Sequence, residues 1–283
     1  MPEPAEEPFE IEWLGGPAEH HFRRARPGIE ELPWGTLRTA EYSPSLVAAA
    51  RRSWTELAVN EYRAIVAFSE VLRAMTLAKV PLDLLGMTSD FLADECVHVE
   101  LASRLAMELG GGAPLLVDMR HFAPRANDDL PPLERANEIV LQVGISEAFA
   151  GGTGLGNRNA ASHPLPRAVF DRILADEARH RRLAGLYFEW AADKIDEVER
   201  ARLATVATRV LDALSVFWQT APTPVVDGKT RDGWPIDDLH ALGWLEQAQM
   251  IVLAREVVRR DVLAPLDAIG IVVGQDDRER LLA

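Results

Sequence analysis

The chain has 283 residues, 48% of them apolar, and a formal net charge of −14. That length admits one large domain or two small ones with an ample core, and the acidity excludes a surface built for nucleic acid or anionic lipid, which needs clustered Lys and Arg. A single cysteine, Cys96, rules out an intrachain disulfide and any cysteine-ligated iron–sulfur or rubredoxin-type centre within the chain.

The acidic start, Met1-Pro-Glu-Pro-Ala-Glu-Glu-Pro, lacks the basic-then-apolar pattern of a signal peptide. No uncharged stretch is long enough to span a bilayer. A cytoplasmic protein without membrane contact is the expectation. Residues 1–42 are rich in Pro, Glu and Arg and show no sustained period. They read as an extended arm anchored by Trp13, Phe22 and Trp34.

Ser43-Pro44 reads as an N-cap followed by proline at the first helical position. A helical stripe then runs over 44–79 through Trp54, Leu57, Glu61, Ala64, Ile65, Phe68 and Leu72. Pro81 opens a second helix, with Leu84, Met87, Phe91, Glu95, His98, Ala102 and Leu105 on one stripe, and Gly110-Gly111-Gly112 closes it. After a polar loop, Pro131-Pro132 opens a third helix carrying Ile139, Val143 and Glu147, which is expected to dissolve into the glycine-rich run 151–156. A fourth begins near Leu165-Pro166 and carries Phe170, Ile173, Glu177, His180, Ala184 and Tyr187. Asp196-Glu197-Val198-Glu199 reads as a capping box for a fifth helix to about residue 220. A sixth is expected over 237–262, followed by a short tail around Pro265 and Gly270. No segment reads as a strand. The organisation predicted is an arm (1–42), a four-helix bundle (43–195) and a C-terminal helical extension (196–283). The extension can cover the bundle or form a homodimer interface.

Two Asp-Glu-x-x-His segments carry the chemistry: Asp94-Glu95-Cys96-Val97-His98 and Asp176-Glu177-Ala178-Arg179-His180. Glu61 stands 34 residues before Glu95, and Glu147 stands 30 before Glu177. Such spacings lead from one helix, around a loop, to the matching level of an antiparallel neighbour. Residues three apart on a helix share a face, so each Glu-x-x-His aims a carboxylate and an imidazole at one spot. Burying four carboxylates together is prohibitive unless cations join them. Two divalent ions would neutralise the set, and oxygen-rich donors with one imidazole per ion suit iron or manganese. Asp94 and Asp176 are placed to accept the second N–H of the histidine on the opposite helix. The competing interpretation is structural ion pairing to cations such as Arg63 or Arg179. Glu100 is the best rival ligand, Cys96 is expected to pack as a small hydrophobe, and the remaining histidines have no partner at a useful spacing.

One Glu from each of two helices plus Glu-x-x-His from each of the other two is the ligand pattern of di-iron and di-manganese carboxylate proteins. On these residues, over roughly 44–192, the chain resembles the ferritin-like di-iron carboxylate superfamily. Asp176-Glu177-Ala178-Arg179-His180 is similar to the Asp-Glu-x-Arg-His signature of its oxygen-activating branch. The resemblance implies an all-α, ferritin-like four-helix bundle. It also implies two iron ions (or manganese), with Glu61, Glu95 and His98 on one side and Glu147, Glu177 and His180 on the other, bridged by Glu95 and Glu177. The activity implied is oxidation of a small organic substrate by O2, with electrons from an external reductase or ferredoxin. The alternative is an iron-handling ferroxidase or peroxide scavenger.

Departures narrow the field. Val97 replaces an arginine common in that branch, and Ala102 stands where reductase small subunits carry a radical tyrosine. Phe68 replaces a tyrosine frequent in ferritins, and Ile173 replaces the extra histidine of arylamine N-oxygenases. Gly151 replaces a threonine of many monooxygenases, a change expected to enlarge a substrate cavity.

Overall fold

The computed structural model describes residues 6–283, so the first five residues of the arm and of the acidic start lie outside it. The arm is not extended throughout. Strand β1 (Glu7–Pro8) pairs antiparallel with β2 (Leu116–Val117), and a helix, α1 (Gly16–Ala25), follows. Of the expected anchors, Phe22 and Trp34 pack against the core, but Trp13 remains 48% exposed. The buried residues of the arm are Ile29 and Leu37. Pattern reading misses the strand pair because two residues are too short to show a period.

Helix α2 (Pro44–Leu77) begins at Ser43, whose hydroxyl accepts the Leu46 N–H at 3.3 Å. Helices α3 (Leu82–Glu108), α4 (Pro132–Ala160) and α5 (Pro164–Ala191) complete the bundle. Each of the four touches two others: α2 packs on α3 and α4, and α5 on the same two. The core falls into two apolar clusters. One gathers Phe68, Phe91, Ile139, Tyr187 and Trp218, and the other Leu46, Trp54, Leu101, Leu165 and Phe170. On α2, α3 and α5 the residues between these clusters carry the carboxylates and imidazoles, so the candidate site is a polar layer between two apolar ones.

Helix α4 does not end at its glycines. It continues to Ala160, because its far face is covered by α6 (Glu197–Leu214) and α8 (Gln247–Val257). A Cβ on Gly152 would lie 2.6 Å from Val257 Cγ1. The glycines therefore admit a packing partner rather than a turn. Buried on most of its circumference, α4 needs partners for every polar group. Asn137 accepts the Tyr187 hydroxyl at 2.8 Å and donates to Glu199 at 3.0 Å, while Glu138 accepts from Arg202 and Arg209. Gly151 does not enlarge a cavity, since Arg181 Cδ stands 2.8 Å from where its Cβ would be.

Asp196 caps α6 through the Glu199 N–H at 2.8 Å, and a 3-10 turn, Ser215–Phe217, ends that helix before residue 220. The expected sixth helix is broken. α7 (Ile236–Ala241) stops at Gly243, whose φ of 93° suits glycine, and Glu246 restarts the chain by accepting the Ala248 and Gln249 N–H groups. After α8 the turn widens to a π-helix over Val258–Leu263, just ahead of Pro265 in α9 (Ala264–Ala268). Helix α10 (Gln275–Leu282) closes the chain, held by the Trp218 indole N–H donating to the Leu281 carbonyl at 2.6 Å. Among the described residues no helix is long and apolar enough to cross a membrane.

Two glycine substitutions separate propensity from packing. Gly154→Ala, whose Cβ would meet Leu174 Cδ2 at an ordinary 3.5 Å, gains helix propensity and raises stability by about 1 kcal/mol. Gly152→Ala drives a methyl into the stiff Val257 and lowers stability by about 1–3 kcal/mol. Thermal unfolding of the two variants should move in opposite directions.

Candidate metal centre

Helical spacing does the local work. Glu95 and His98 on α3, and Glu177 and His180 on α5, sit three residues apart and share the inward face of their helices. Glu61 on α2 and Glu147 on α4 come in from the other pair of helices. The structure brings all six side chains together in two overlapping groups. Glu61, Glu95, His98 and Glu177 form one, and Glu95, Glu147, Glu177 and His180 the other, with donor atoms in each within 4.8 Å of one another. Glu95 and Glu177 belong to both. All but Glu61 are buried, and the Glu61 side chain is only 13% exposed.

The imidazoles are aimed by their far nitrogens. His98 Nε2 lies 3.4 Å from Asp176 Oδ2, and His180 Nε2 lies 3.3 Å from Asp94 Oδ2, each aspartate on the opposite helix. The Nδ1 atoms therefore face the carboxylates. His98 Nδ1 is 3.3 Å from Glu95, 3.5 Å from Glu177 and 3.6 Å from Glu61. His180 Nδ1 is 2.9 Å from Glu95, 3.5 Å from Glu177 and 3.7 Å from Glu147. Close as they are, both Nδ1 atoms, both Glu95 oxygens and Glu177 Oε2 have no partner in hydrogen-bond geometry. Five orphaned polar atoms converging on one buried point are a large uncompensated cost. A cation among them removes it, and the mix of carboxylate oxygen and imidazole nitrogen suits iron or manganese.

Electrostatics say the same. Burial pushes Glu61 up to about 8, helped by its neighbours Glu95 and Glu177. Burial, then Glu177, drives Glu147 well above its usual range. Burial opposes a charge on either imidazole, yet the surrounding carboxylates overcome it and hold both His98 and His180 well above the ordinary histidine range. Glu95 also resists burial and is held at about 2 by the two imidazoles. Burial thus favours a proton on Glu61 and Glu147, and the carboxylates favour one on His98 and His180, so the cluster draws positive charge to itself.

No protein-family model matches the chain, and no curated protein sequence does. A solved structure does match: Protein 19 with aldehyde deformylating oxidase activity, from Synechococcus. It is 17% identical, with a TM-score of 0.56, over 87% of this chain and 99% of that one. The chain has the ferritin-like fold. Within this ferritin-like bundle the ion pairs expected of the six side chains go elsewhere. Arg179 binds Asp94 and Asp176, not the glutamates, and Arg63 pairs with none of them. The rival ligand Glu100 stays outside the cluster, held by Arg23 of the arm and by Arg104 at 3.5 Å. Cys96 is exposed rather than packed.

The arm's approach to the site is not legible in the sequence. Arg26 Nε donates to Asp94 Oδ1 at 2.9 Å, so the carboxylate that orients His180 is itself fixed by the arm. Arg172 and Arg179 hold Asp176 in the same way. An arginine at an irregular arm position carries no spacing signal that could have revealed this.

A metal ion at this cluster would compete with protons for the same lone pairs. Glu61, held at about 8, keeps its proton below that pH and loses it above. Manganese(II) affinity should therefore rise as pH climbs through about 8, and binding should release protons into the buffer. Calorimetry in buffers of different ionisation enthalpy measures both; pH-independent affinity without proton release would contradict the ligand role of Glu61.

Proposed function

We propose that the protein is a non-haem di-iron oxidase or oxygenase that uses O2 to oxidise an organic substrate. Glu61, Glu95, His98, Glu147, Glu177 and His180 would hold the two ions, with Glu95 and Glu177 shared between them. The observation that carries the reading is a cleft of about 1370 Å³ that reaches the centre at Glu61, Glu147 and Glu177. Small-molecule sites usually occupy ~300–1,000 Å³. A cleft of that size favours an organic substrate over a bare ferrous ion, which needs only a narrow path to the centre. The oxidase activity of the Synechococcus protein of the same fold supports the choice.

Bound iron would supply the redox chemistry that no side chain here provides. The chain's own residues supply orientation and exclusion. Asp94 and Asp176 would hold a proton on each Nε2, so that a metal ion would take the place of the proton at each Nδ1. Phe68 and Phe91 pack against His180 at ring distances of 5.3 and 4.2 Å and keep water from that side. Leu57, Phe149 and Ile173 line the open side, so a substrate meets apolar wall around three carboxylates. Electrons would come from a separate reductase or ferredoxin in the cytoplasm, and manganese remains an alternative metal.

Anaerobic loading followed by metal analysis should find about two irons per chain, raise the melting temperature, and give O2 uptake coupled to an organic product. Glu95→Ala and His180→Ala should each abolish the stoichiometric iron. Full iron content in both variants would refute the ligand assignment. Rapid Fe(II) oxidation into mineral would instead show an iron-handling protein.

A further inference from the structure

The two halves of the polar layer repeat each other except at one residue. Each Asp-Glu-x-x-His segment sends its aspartate across to the histidine of the other helix. In the second segment Arg179, three residues after Asp176, donates to Asp176 Oδ1 at 2.8 Å. The matching place in the first segment, three after Asp94, is Val97, which has nothing to donate. Val97 is instead fully buried in the apolar cluster that Ile29 and Leu37 of the arm join. The arm fills the missing role. Arg26 Nε donates to Asp94 Oδ1 at 2.9 Å, and among the described residues no other donor reaches that oxygen. The Asp90 carbonyl, at 3.0 Å, and its Oδ1, at 2.7 Å, accept from the same guanidinium and fix it. Asp176 differs, because both its arginines, Arg172 and Arg179, belong to α5 itself. Helix α1 buries none of its residues, and Gly15 and Gly28 flank it at φ 75° and 93°. What it brings to the bundle is charge: Arg23 on the buried Glu100, and Arg26 at its end on the buried Asp94.

We propose that Arg26 is a positioning residue that the arm contributes to one of the two metal positions, the one formed by Glu95, Glu147, Glu177 and His180, and that docking of α1 and occupancy of that position strengthen each other. The proposal rests on the ligand assignment above. A proton on His180 is served by any of the carboxylates around it, whatever the exact angle of the ring. A metal ion needs the Nδ1 lone pair aimed at it, so the ring angle matters. Asp94 sets that angle through Nε2, and Arg26 sets Asp94. Without Arg26 a buried carboxylate oxygen loses its donor and Asp94 is free to turn. The His98 position keeps its own support on α5 and does not need the arm. Linkage between two binding events is reciprocal, so what the arm gives to the ion the ion returns to the arm.

Both directions of the coupling can be read without turnover, on the full-length chain. Manganese(II) is titrated into wild type and variants by calorimetry, and trypsin cleavage after the exposed Arg24 is followed with and without manganese. Arg26→Gln should weaken one of the two manganese ions roughly ten- to hundredfold and leave the other unchanged, and Arg26→Lys should restore part of the loss. Manganese should slow cleavage after Arg24 in the wild type but not in Arg26→Gln. It should also raise the melting temperature of Arg26→Gln less than that of the wild type, whereas a purely structural arginine would lower both forms alike. Arg172→Gln, the counterpart on the His98 side, should weaken the other ion and leave the cleavage rate as it was. Equal weakening of both ions in Arg26→Gln, or cleavage after Arg24 that is equally fast with and without manganese in the wild type, overturns the proposal. A wild type that binds fewer than two manganese ions removes the ligand assignment and the proposal together. Two tightly bound ions that Arg26→Gln leaves untouched remove the proposal alone.

Discussion

Charge buried between two greasy layers is the constraint from which the rest of the molecule follows. Four glutamates and two histidines occupy the level between an apolar cluster around Phe68 and Ile139 and another around Trp54 and Phe170. Ionised groups do not persist in such a place alone. They persist when each is aimed at a common partner and when the scaffold cannot relax to let water in. Long helices provide that rigidity. The i, i+3 pairs on α3 and α5 repeat the same geometry from opposite sides, and the aspartate ahead of each glutamate crosses over to hold the other helix's imidazole.

The two ends of this polar layer are treated differently. Where α3 meets α5, Asp94 and Asp176 sit in a net of Arg26, Arg172 and Arg179. Ionic cross-links of this kind close the centre on that side. Where α2 meets α4, small side chains such as Ala64, Ala67, Ala150 and Gly154 leave space, and the space becomes the cleft. One face is thus fixed by charge, and the opposite face is open and lined mostly by apolar side chains.

Helix α4 shows why the C-terminal third is needed. A helix buried on nearly all sides cannot present a polar face to water, so Asn137, Glu138 and Asn157 must each find a protein partner. Those partners are Tyr187, Glu199, Arg202, Arg209 and the Leu245 N–H, mostly from the segment after the bundle. The same segment takes the place that glycines would otherwise leave empty. A bundle cut after α5 would expose Gly152 and Gly156, now covered by Val257 and Leu253, along with those unpaired polar groups.

The polar layer itself was legible from one dimension, because helix periodicity converts spacing into position. Glu95 and His98, or Glu177 and His180, must share a face, and a partner glutamate some thirty residues away must reach the same level. Proline and serine likewise marked where α2, α3 and α4 begin, since their local chemistry acts within a few residues. Glycine deceived the same reasoning: in isolation the run 151–156 looks like a helix end, and only Val257 and Leu253 packing against it make it a helix interior. Arg26, Ile29 and the cleft were equally hidden. They depend on which distant segments lie side by side, and contacts between segments far apart in the chain leave no period to read. Local backbone geometry thus placed the six side chains, while long-range packing decided what surrounds them, what closes over them and where they stay open.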